Sequence, residues 1–112
     1  MQVDVNERGG FSHLALTGRI DSATAGGFEA TLLGLLADRD QSVLVDLGGV
    51  DFVSSAGLRV FLLGAKKVKG TSARMVLCAM DANIRKVFAM SGFDRILEIT
   101  EDVETGEARL AG

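Results

Sequence analysis

Two adjacent serines, Ser54 and Ser55, are the residues of this 112-residue sequence best suited to chemistry. They lie in a polar stretch of small residues, 51–57, between an apolar run and a helical pattern. A serine hydroxyl at such a place can cap the helix, accept a phosphoryl group or act as a nucleophile. In open α/β sheets, ligands and partners collect at the carboxyl ends of strands, where this stretch is expected to lie. Capping explains one serine of the pair and leaves the other open to a functional role.

The surroundings of the serines argue against catalysis and nucleotide binding. The sequence contains neither a GxxxxGK[ST] phosphate loop nor the GxSxG turn of serine hydrolases. The one histidine, His13, falls on a predicted strand of an opening hairpin. Lys66 and Lys67 follow about three turns along the predicted helix, too far for a serine–lysine pair. A nucleotide-binding or hydrolytic domain is therefore the least favoured interpretation.

The composition is that of one domain without metal or redox chemistry. A single cysteine, Cys78, and a single histidine are too few for a Cys/His metal cluster, and the acidic residues lack calcium-loop spacing. We expect no metal and no cofactor. The formal net charge of −3 and the lack of tryptophan and tyrosine disfavour nucleic acid as a partner. No apolar run reaches the ~18 residues of a membrane span and no secretory signal follows Met1, so we expect a cytoplasmic protein without membrane insertion.

Alternating strand and helix patterns predict the frame that positions the serines. Residues 3–5 and 11–17 should form an antiparallel hairpin around Gly9-Gly10, because both turn positions tolerate positive φ. We predict these later elements: a helix capped by Asp21 or Ser22, a strand over 43–47 ended by Gly48-Gly49, a helix over 58–69, a strand over 75–79, a helix capped by Asp81 with Gly92 as its C′ residue, a strand over 96–99 and a weak helix over 101–110. This order predicts an α/β domain whose mixed sheet opens with the hairpin and continues by parallel β-α-β crossovers with packed helices.

The helix after the serines has apolar residues on more than one side. We assign to its buried face four residues at helical spacing: Leu58, Phe61, Leu62 and Ala65. Val60 and Leu63 then point away from the core. With Arg59 and Lys67 around them, they predict an apolar contact patch beside the serines. The alternative is that the C-terminal segment or a neighbouring chain buries them.

Residues 43–58, VLVDLGGVDFVSSAGL, resemble the signature of the STAS domain family of bacterial anti-sigma factor antagonists. In that family an apolar strand ending in Asp-Leu is followed by Phe, an apolar residue, Asp-Ser-Ser/Thr-Gly-Leu and a helix. The resemblance continues in residues 16–21, LTGRID, and in residues 84–93, IRKVFAMSGF, and it covers nearly the whole chain. It implies these bounds: a single STAS domain over 1–112, a core over 3–99 and an acidic C-terminal segment over 100–112.

The resemblance implies a regulatory protein-binding module and not an enzyme. In the family, a partner that is both an anti-sigma factor and a serine-protein kinase of the histidine-kinase-like ATPase type phosphorylates a serine in this loop. The unphosphorylated form binds that partner, and a serine/threonine protein phosphatase removes the phosphate. Carried over by position, the phosphoacceptor is Ser55, with Ser54 as second choice. The implied partner-binding residues, together with the predicted outward patch, are Asp21, Ser54, Ser55, Ala56, Gly57, Arg59, Val60 and Leu63.

Two departures from the family pattern keep an alternative open. Ser54 stands where the signature has Asp, which removes a negative charge beside the acceptor, and Ala56 stands where it has Ser or Thr. The alternative is an unphosphorylated STAS scaffold, for example a subunit docking on a transporter ATPase in phospholipid trafficking. Asp21 also has an alternative role, as the N-cap of the first helix.

Overall fold

The computed structural model describes residues 1–38 and 41–111, which form five strands and four helices. The strands are β1 (Gln2–Arg8), β2 (Phe11–Ile20), β3 (Ser42–Val53), β4 (Met75–Cys78) and β5 (Glu98–Ile99). The helices are α1 (Ala25–Leu36), α2 (Ser55–Val68), α3 (Ala82–Met90) and α4 (Val103–Ala111), and a short 3-10 helix, Phe93–Arg95, precedes β5.

The five strands form one mixed sheet in the order β1-β2-β3-β4-β5. β1 and β2 pair antiparallel across the turn at Gly9-Gly10, where Gly10 has a φ of +90° that favours glycine. β2, β3, β4 and β5 pair in parallel, and α1, α2 and α3 make the three connections between them. The predicted α/β fold with an opening hairpin and parallel crossovers is confirmed.

The larger core lies between the sheet and α1, α2 and α3. Each of these helices contributes one fully buried phenylalanine: Phe28, Phe61 and Phe88. The ring centroids of Phe28 and Phe61 are 5.1 Å apart, and those of Phe61 and Phe88 are 5.3 Å apart, in tilted and edge-on arrangements. Because such pairs add about 0.5–1.5 kcal/mol beyond burial, they hold the three helices in register on the sheet.

A second, smaller core lies on the opposite face of the sheet, beneath α4. Leu44, Val76 and Cys78 point to this face because neighbouring residues of a strand alternate between faces. Gly106 of α4 sits so close that an added Cβ would lie 2.5 Å from Leu44 Cδ1. The sheet is therefore covered on both faces where β3 and β4 run, which explains their unbroken apolar sequences.

The predicted break of β3 at Gly48-Gly49 is wrong, because the strand continues to Val53. The two glycines fall where the pairing of β2 with β3 shifts its register. At Gly49 a Cβ would lie 2.9 Å from the carbonyl oxygen of Leu16, so glycine permits a close approach of the two strands. Residues 51–53, predicted as part of a loop, are consequently strand, and α2 begins at Ser55 instead of Leu58.

The predicted buried face of α2 is confirmed in part: Phe61 is buried, and Leu58 and Ala65 pack against the larger core, but Val60 was wrongly left out of it. The buried residues of this helix are Gly57, Val60, Phe61 and Gly64, whereas Leu58, Leu62 and Ala65 are half-buried. Val60 is only 1% exposed, so it belongs to the core and does not point outward. The reason is packing: glycines at 57 and 64 let α2 lie against the sheet, and a Cβ at Gly64 would meet Met75 Sδ at 2.7 Å.

Candidate partner-binding site

The carboxyl ends of β2 and β3 meet at one edge of the sheet. Ile20 pairs with Val53 in the last register position of the two strands. One residue later, the backbone N–H of Ser54 donates to the carbonyl oxygen of Ile20 at 2.8 Å. The turn that begins at Asp21 and the start of α2 therefore lie side by side.

Ser54 is the N-cap of α2. Its backbone is extended, with φ −86° and ψ 174°, and its hydroxyl oxygen accepts from the backbone N–H of Gly57 at 3.3 Å. Gly57 is buried against the end of β2, since a Cβ there would lie 2.7 Å from Ile20 Cγ2. Ser54 and Gly57 thus build the helix start. Gly57, predicted among the partner-binding residues, is buried because Ile20 and Val53 lie against it.

Ser55 is the first residue of α2 and is exposed. Across residues 1–38 and 41–111, no group hydrogen-bonds to its hydroxyl. The neighbouring Ala56 is half-buried and packs against the larger core. The hydroxyl of Ser54 is therefore hydrogen-bonded to the backbone, whereas that of Ser55 is accessible and unengaged at the N-terminus of α2.

Asp21 closes the turn between β2 and α1. Its Oδ1 accepts from the backbone N–H groups of Ala23 at 3.0 Å and Thr24 at 3.2 Å. Desolvation of the carboxylate acts to raise its pKa, but the hydrogen bonds from Ala23 and Thr24 and the charge of Arg19 outweigh it, so the pKa of Asp21 is lowered. α1 begins at Ala25 with Thr24 at its N-cap position, so neither Asp21 nor Ser22, the predicted caps, is the N-cap. Asp21 therefore shapes the turn before the helix, and its side chain is partly exposed and ionised.

Arg19 and Phe52 form a contact at this edge that the sequence reasoning missed. The guanidinium carbon of Arg19 lies 4.2 Å from the centroid of the Phe52 ring, and Arg19 Nε lies 3.7 Å from Asp21 Oδ2. Phe52 is 38% exposed. The signal was the strand register: both residues stand one position before the paired strand ends Ile20 and Val53, but that pairing is visible only once β3 is known to continue past its glycines.

The family model for the STAS domain matches residues 2–106. The chain belongs to the STAS domain family. A relative named "Putative anti-sigma factor antagonist BtrV", from Bordetella bronchiseptica, is 35% identical over 108 residues, which cover 96% of this chain and 93% of the relative.

Solved structures share the fold over nearly the whole STAS chain. An anti-sigma factor antagonist from Mycobacterium paratuberculosis superposes with a TM-score of 0.90 at 21% identity, covering 99% of this chain and 94% of that one. The Bacillus cell fate determinant SpoIIAA, in its phosphorylated form, superposes with a TM-score of 0.72 at 16% identity, covering 96% and 98%. At these identities, the likeness establishes the fold alone.

The outward side of α2 in this STAS domain carries charge beside the serine. Arg59 is exposed, and its Nη1 lies 3.4 Å from Oε1 of Glu29 on α1. Leu63 is half-buried, so one of the two predicted outward apolar residues reaches the surface and the other, Val60, does not. Of the predicted partner-binding residues, Ser55 and Arg59 are therefore exposed and Gly57 and Val60 are buried. The half-buried ones are Asp21, Ser54, Ala56 and Leu63.

The rest of this STAS domain offers few other candidates for chemistry. Within the described ranges 1–38 and 41–111, no group of three or more His, Cys, Asp or Glu is placed to hold a metal ion. None of the helices in those ranges has the length and apolar character needed to cross a membrane. The carboxyl ends of β2 and β3, with the start of α2, are thus the best candidate for the functional site.

Proposed function

We propose that this STAS domain is an anti-sigma factor antagonist whose binding is switched by phosphorylation of Ser55. The unphosphorylated domain binds an anti-sigma factor that is also a serine-protein kinase of the histidine-kinase-like ATPase type. Phosphorylation by that partner releases the domain, and a serine/threonine protein phosphatase restores it. The single observation that carries the proposal is the exposed, unengaged Ser55 hydroxyl at the start of α2. Support also comes from the relative at 35% identity, whose name describes it as an anti-sigma factor antagonist.

The covalent step is a phosphoryl transfer from ATP. The Ser55 oxygen forms a bond to the γ-phosphorus, the bond to the ADP oxygen breaks, and the hydroxyl proton passes to a base on the kinase. ADP leaves, and the serine gains a phosphate monoester. In the reverse direction a phosphatase hydrolyses the ester with water and releases inorganic phosphate.

The fold tolerates the phosphate better than an interface does. A phosphoserine adds about −1.5 to −2 charges, and the N-terminus of α2 favours negative charge. At a contact surface, the same dianion is desolvated without a partner. A penalty of about 3 kcal/mol weakens binding roughly a hundredfold, which suffices for a switch.

Ser55 is preferred to Ser54 because of their hydrogen bonds. The Ser54 oxygen caps the helix, and loss of such a cap costs about 1 kcal/mol. A kinase acting on Ser54 would have to break that cap first. Ser54 also explains the departure from the family signature: serine and aspartate are both strong N-caps, so the replacement keeps the helix start intact.

The test is phosphorylation of the purified chain by its anti-sigma factor kinase and ATP. We expect a mass increase of about 80 Da, for one phosphate, on the peptide that contains Ser55. Ser55→Ala should abolish the increase and leave the domain bound, whereas the matched Ser54→Ala variant should still be modified. Calorimetry should show the phosphorylated chain binding about a hundredfold more weakly than the unmodified chain. Modification at another residue, or none by an active kinase, contradicts the proposal.

The scaffold alternative makes a different prediction for the same chain. A STAS subunit that docks on a transporter ATPase should co-purify with that ATPase, and its binding should be the same for the wild type and Ser55→Ala. The replacement of the signature aspartate by Ser54 is the observation in its favour. A partner that is released on phosphorylation of Ser55 excludes it.

A further inference from the structure

Arg59 stands four residues after Ser55 on the same helix, α2. Residues four apart are neighbours on one face of a helix, and helical side chains lean toward the N-terminus. From position 59, an arginine side chain can therefore reach the turn that carries the Ser55 hydroxyl. An acid followed by a base at this spacing is the favourable orientation for a helical ion pair.

The present partner of Arg59 holds it weakly. Arg59 Nη1 and Glu29 Oε1 are 3.4 Å apart, and their side chains are 68% and 34% exposed. Exposed pairs of this kind contribute little to stability because water and salt screen them. The guanidinium is free to exchange Glu29 for a stronger anion within reach.

Of the other charged groups at this edge, Arg19 is held by two contacts, where Arg59 has one, and Asp51 repels a phosphate. Arg19 stacks on the Phe52 ring and pairs with Asp21. Asp51 is an exposed carboxylate and offers no positive charge. Among the cations in residues 1–38 and 41–111, Arg59 is thus the one best placed for a group on Ser55.

We propose that phosphorylation of Ser55 transfers Arg59 from Glu29 to the phosphate, so that the phosphoserine binds its own helix. This inference rests on the proposed function and adds its mechanism. The phosphate carries about twice the charge of a carboxylate and three acceptor oxygens, which suit the planar guanidinium. Glu29 then loses its link to α2. The partner-binding surface both gains a dianion and loses the exposed, weakly held cation of Arg59, so the modification discriminates against a partner that presents an acidic group to Arg59.

The test uses a chain in which phosphoserine is encoded at position 55, so that no kinase is needed. Phosphorus NMR over a pH titration reports the second pKa of the phosphate, ordinarily about 6. We expect Arg59→Gln to raise that pKa by about 0.4, the size of a helical ion pair. Arg59→Lys should raise it less. Lys86→Gln, which removes an exposed cation of α3, is the matched control for net charge and should leave it unchanged.

A second measurement follows the guanidinium itself. In the unmodified chain, Glu29→Gln should shift the Nε–H signal of Arg59, and in the phosphorylated chain it should not. A phosphate pKa that is the same with and without Arg59 overturns the inference, as does one raised by Arg19→Gln instead. Either result leaves the proposed function standing, because that is decided by whether a kinase modifies Ser55 and a partner leaves.

Discussion

Two regions of the sheet carry side chains able to react, but only one of them exposes such a side chain to solvent. We call the carboxyl ends of β2 and β3, with Asp21 and Ser55, the open edge, and the sheet surface beneath α4 the α4 face. The α4 face holds Cys78 and a pair in which His13 Nε2 lies 2.9 Å from Asp46 Oδ2. Cys78 is fully buried, and burial, followed by the charges of Asp46, Asp102 and Glu107, raises the pKa of its thiol to about 12. The thiol of Cys78 on the α4 face is therefore unreactive, while the hydroxyl of Ser55 at the open edge is accessible to a partner.

Two adjacent residues of the open edge also differ in whether their side chains are accessible. Ser54 and Ser55 are chemically identical, yet the Ser54 hydroxyl is occupied by the backbone N–H of Gly57 and that of Ser55 is not. Access and hydrogen bonding decide which side chain a partner can reach. The predictions below test this contrast.

The largest expected difference is in thiol reactivity. At about pH 8, Cys78 in the folded chain should react with a disulfide dye at least about a thousandfold more slowly than an ordinary exposed thiol, because its pKa is raised to about 12 and the group is buried. Ser55→Cys in a Cys78→Ala background should react at the exposed rate. Unfolding in urea should make Cys78 fully reactive. If Cys78 reacts in the folded chain, or if a cysteine at position 55 is protected, the two regions do not differ in accessibility as the structure indicates.

Removal of a large side chain should cost far more stability on the α4 face than at the open edge. Leu44 is fully buried beneath α4, so Leu44→Ala should lower the free energy of unfolding by about 2–5 kcal/mol. Phe52→Ala, the control, removes an exposed ring and its contact with Arg19, at a cost of about 0.5–1 kcal/mol. Urea denaturation of both variants measures the difference. Equal losses would mean that the two regions are packed alike.

Replacing a glycine by alanine should lower the stability of the chain at the open edge, where Gly57 is tightly packed, and raise it on α1, where Gly34 has open space around it. Gly57→Ala places a Cβ within 2.7 Å of Ile20 Cγ2 and 3.1 Å of the Ile20 carbonyl oxygen, so it should destabilise the chain by about 1–3 kcal/mol. Gly34→Ala meets nothing within 4 Å on α1 and should stabilise the chain by about 0.5–1 kcal/mol, through helix propensity. Thermal unfolding compares them, and a shared sign would refute the packing of α2 on β2.

The smallest effect concerns the charge of Asp21. Its pKa is lowered in the folded chain, so the unfolded chain takes up the proton first as the pH falls. The stability it contributes is complete above the ordinary pKa of 3.8 and is lost as the pH falls through the lower, folded value. Asp21→Asn keeps the turn's acceptor oxygen and removes the charge, so it should flatten that loss between about pH 5 and pH 2. Asp51→Asn is the control at the same edge; an identical pH profile for both variants would exclude the role of the turn.

Much of the fold was predictable because local patterns were unambiguous. Gly9-Gly10 between alternating segments predicted the hairpin, and the structure confirms it. Asp81 was predicted to cap the third helix, and its Oδ1 accepts from the backbone N–H of Ile84 at 2.8 Å. Gly92 was predicted to follow that helix in a left-handed conformation, and its φ is +79°. Turns and caps depend on neighbouring residues alone, which is why sequence reasoning reaches them.

The errors arose where distant residues decide. Gly49 reads as a strand breaker until Leu16 is known to lie against it, and Gly57 reads as surface until Ile20 is known to cover it. The contacts at these two glycines join residues far apart in sequence, and no local pattern reports them. One further difference is local: the predicted strand over 96–99 is shorter, Glu98–Ile99, because a 3-10 turn precedes it.

The amino-acid sequence by itself determined the order of strands and helices, the family signature and the two serines at the start of α2, since these follow from periodicity, capping and motif. Only the tertiary structure decided which serine is available, which face of α2 is buried and that Arg59 bridges to Glu29. The physical reason is that accessibility and ion pairing depend on which surfaces meet when β2, β3 and the helices pack together.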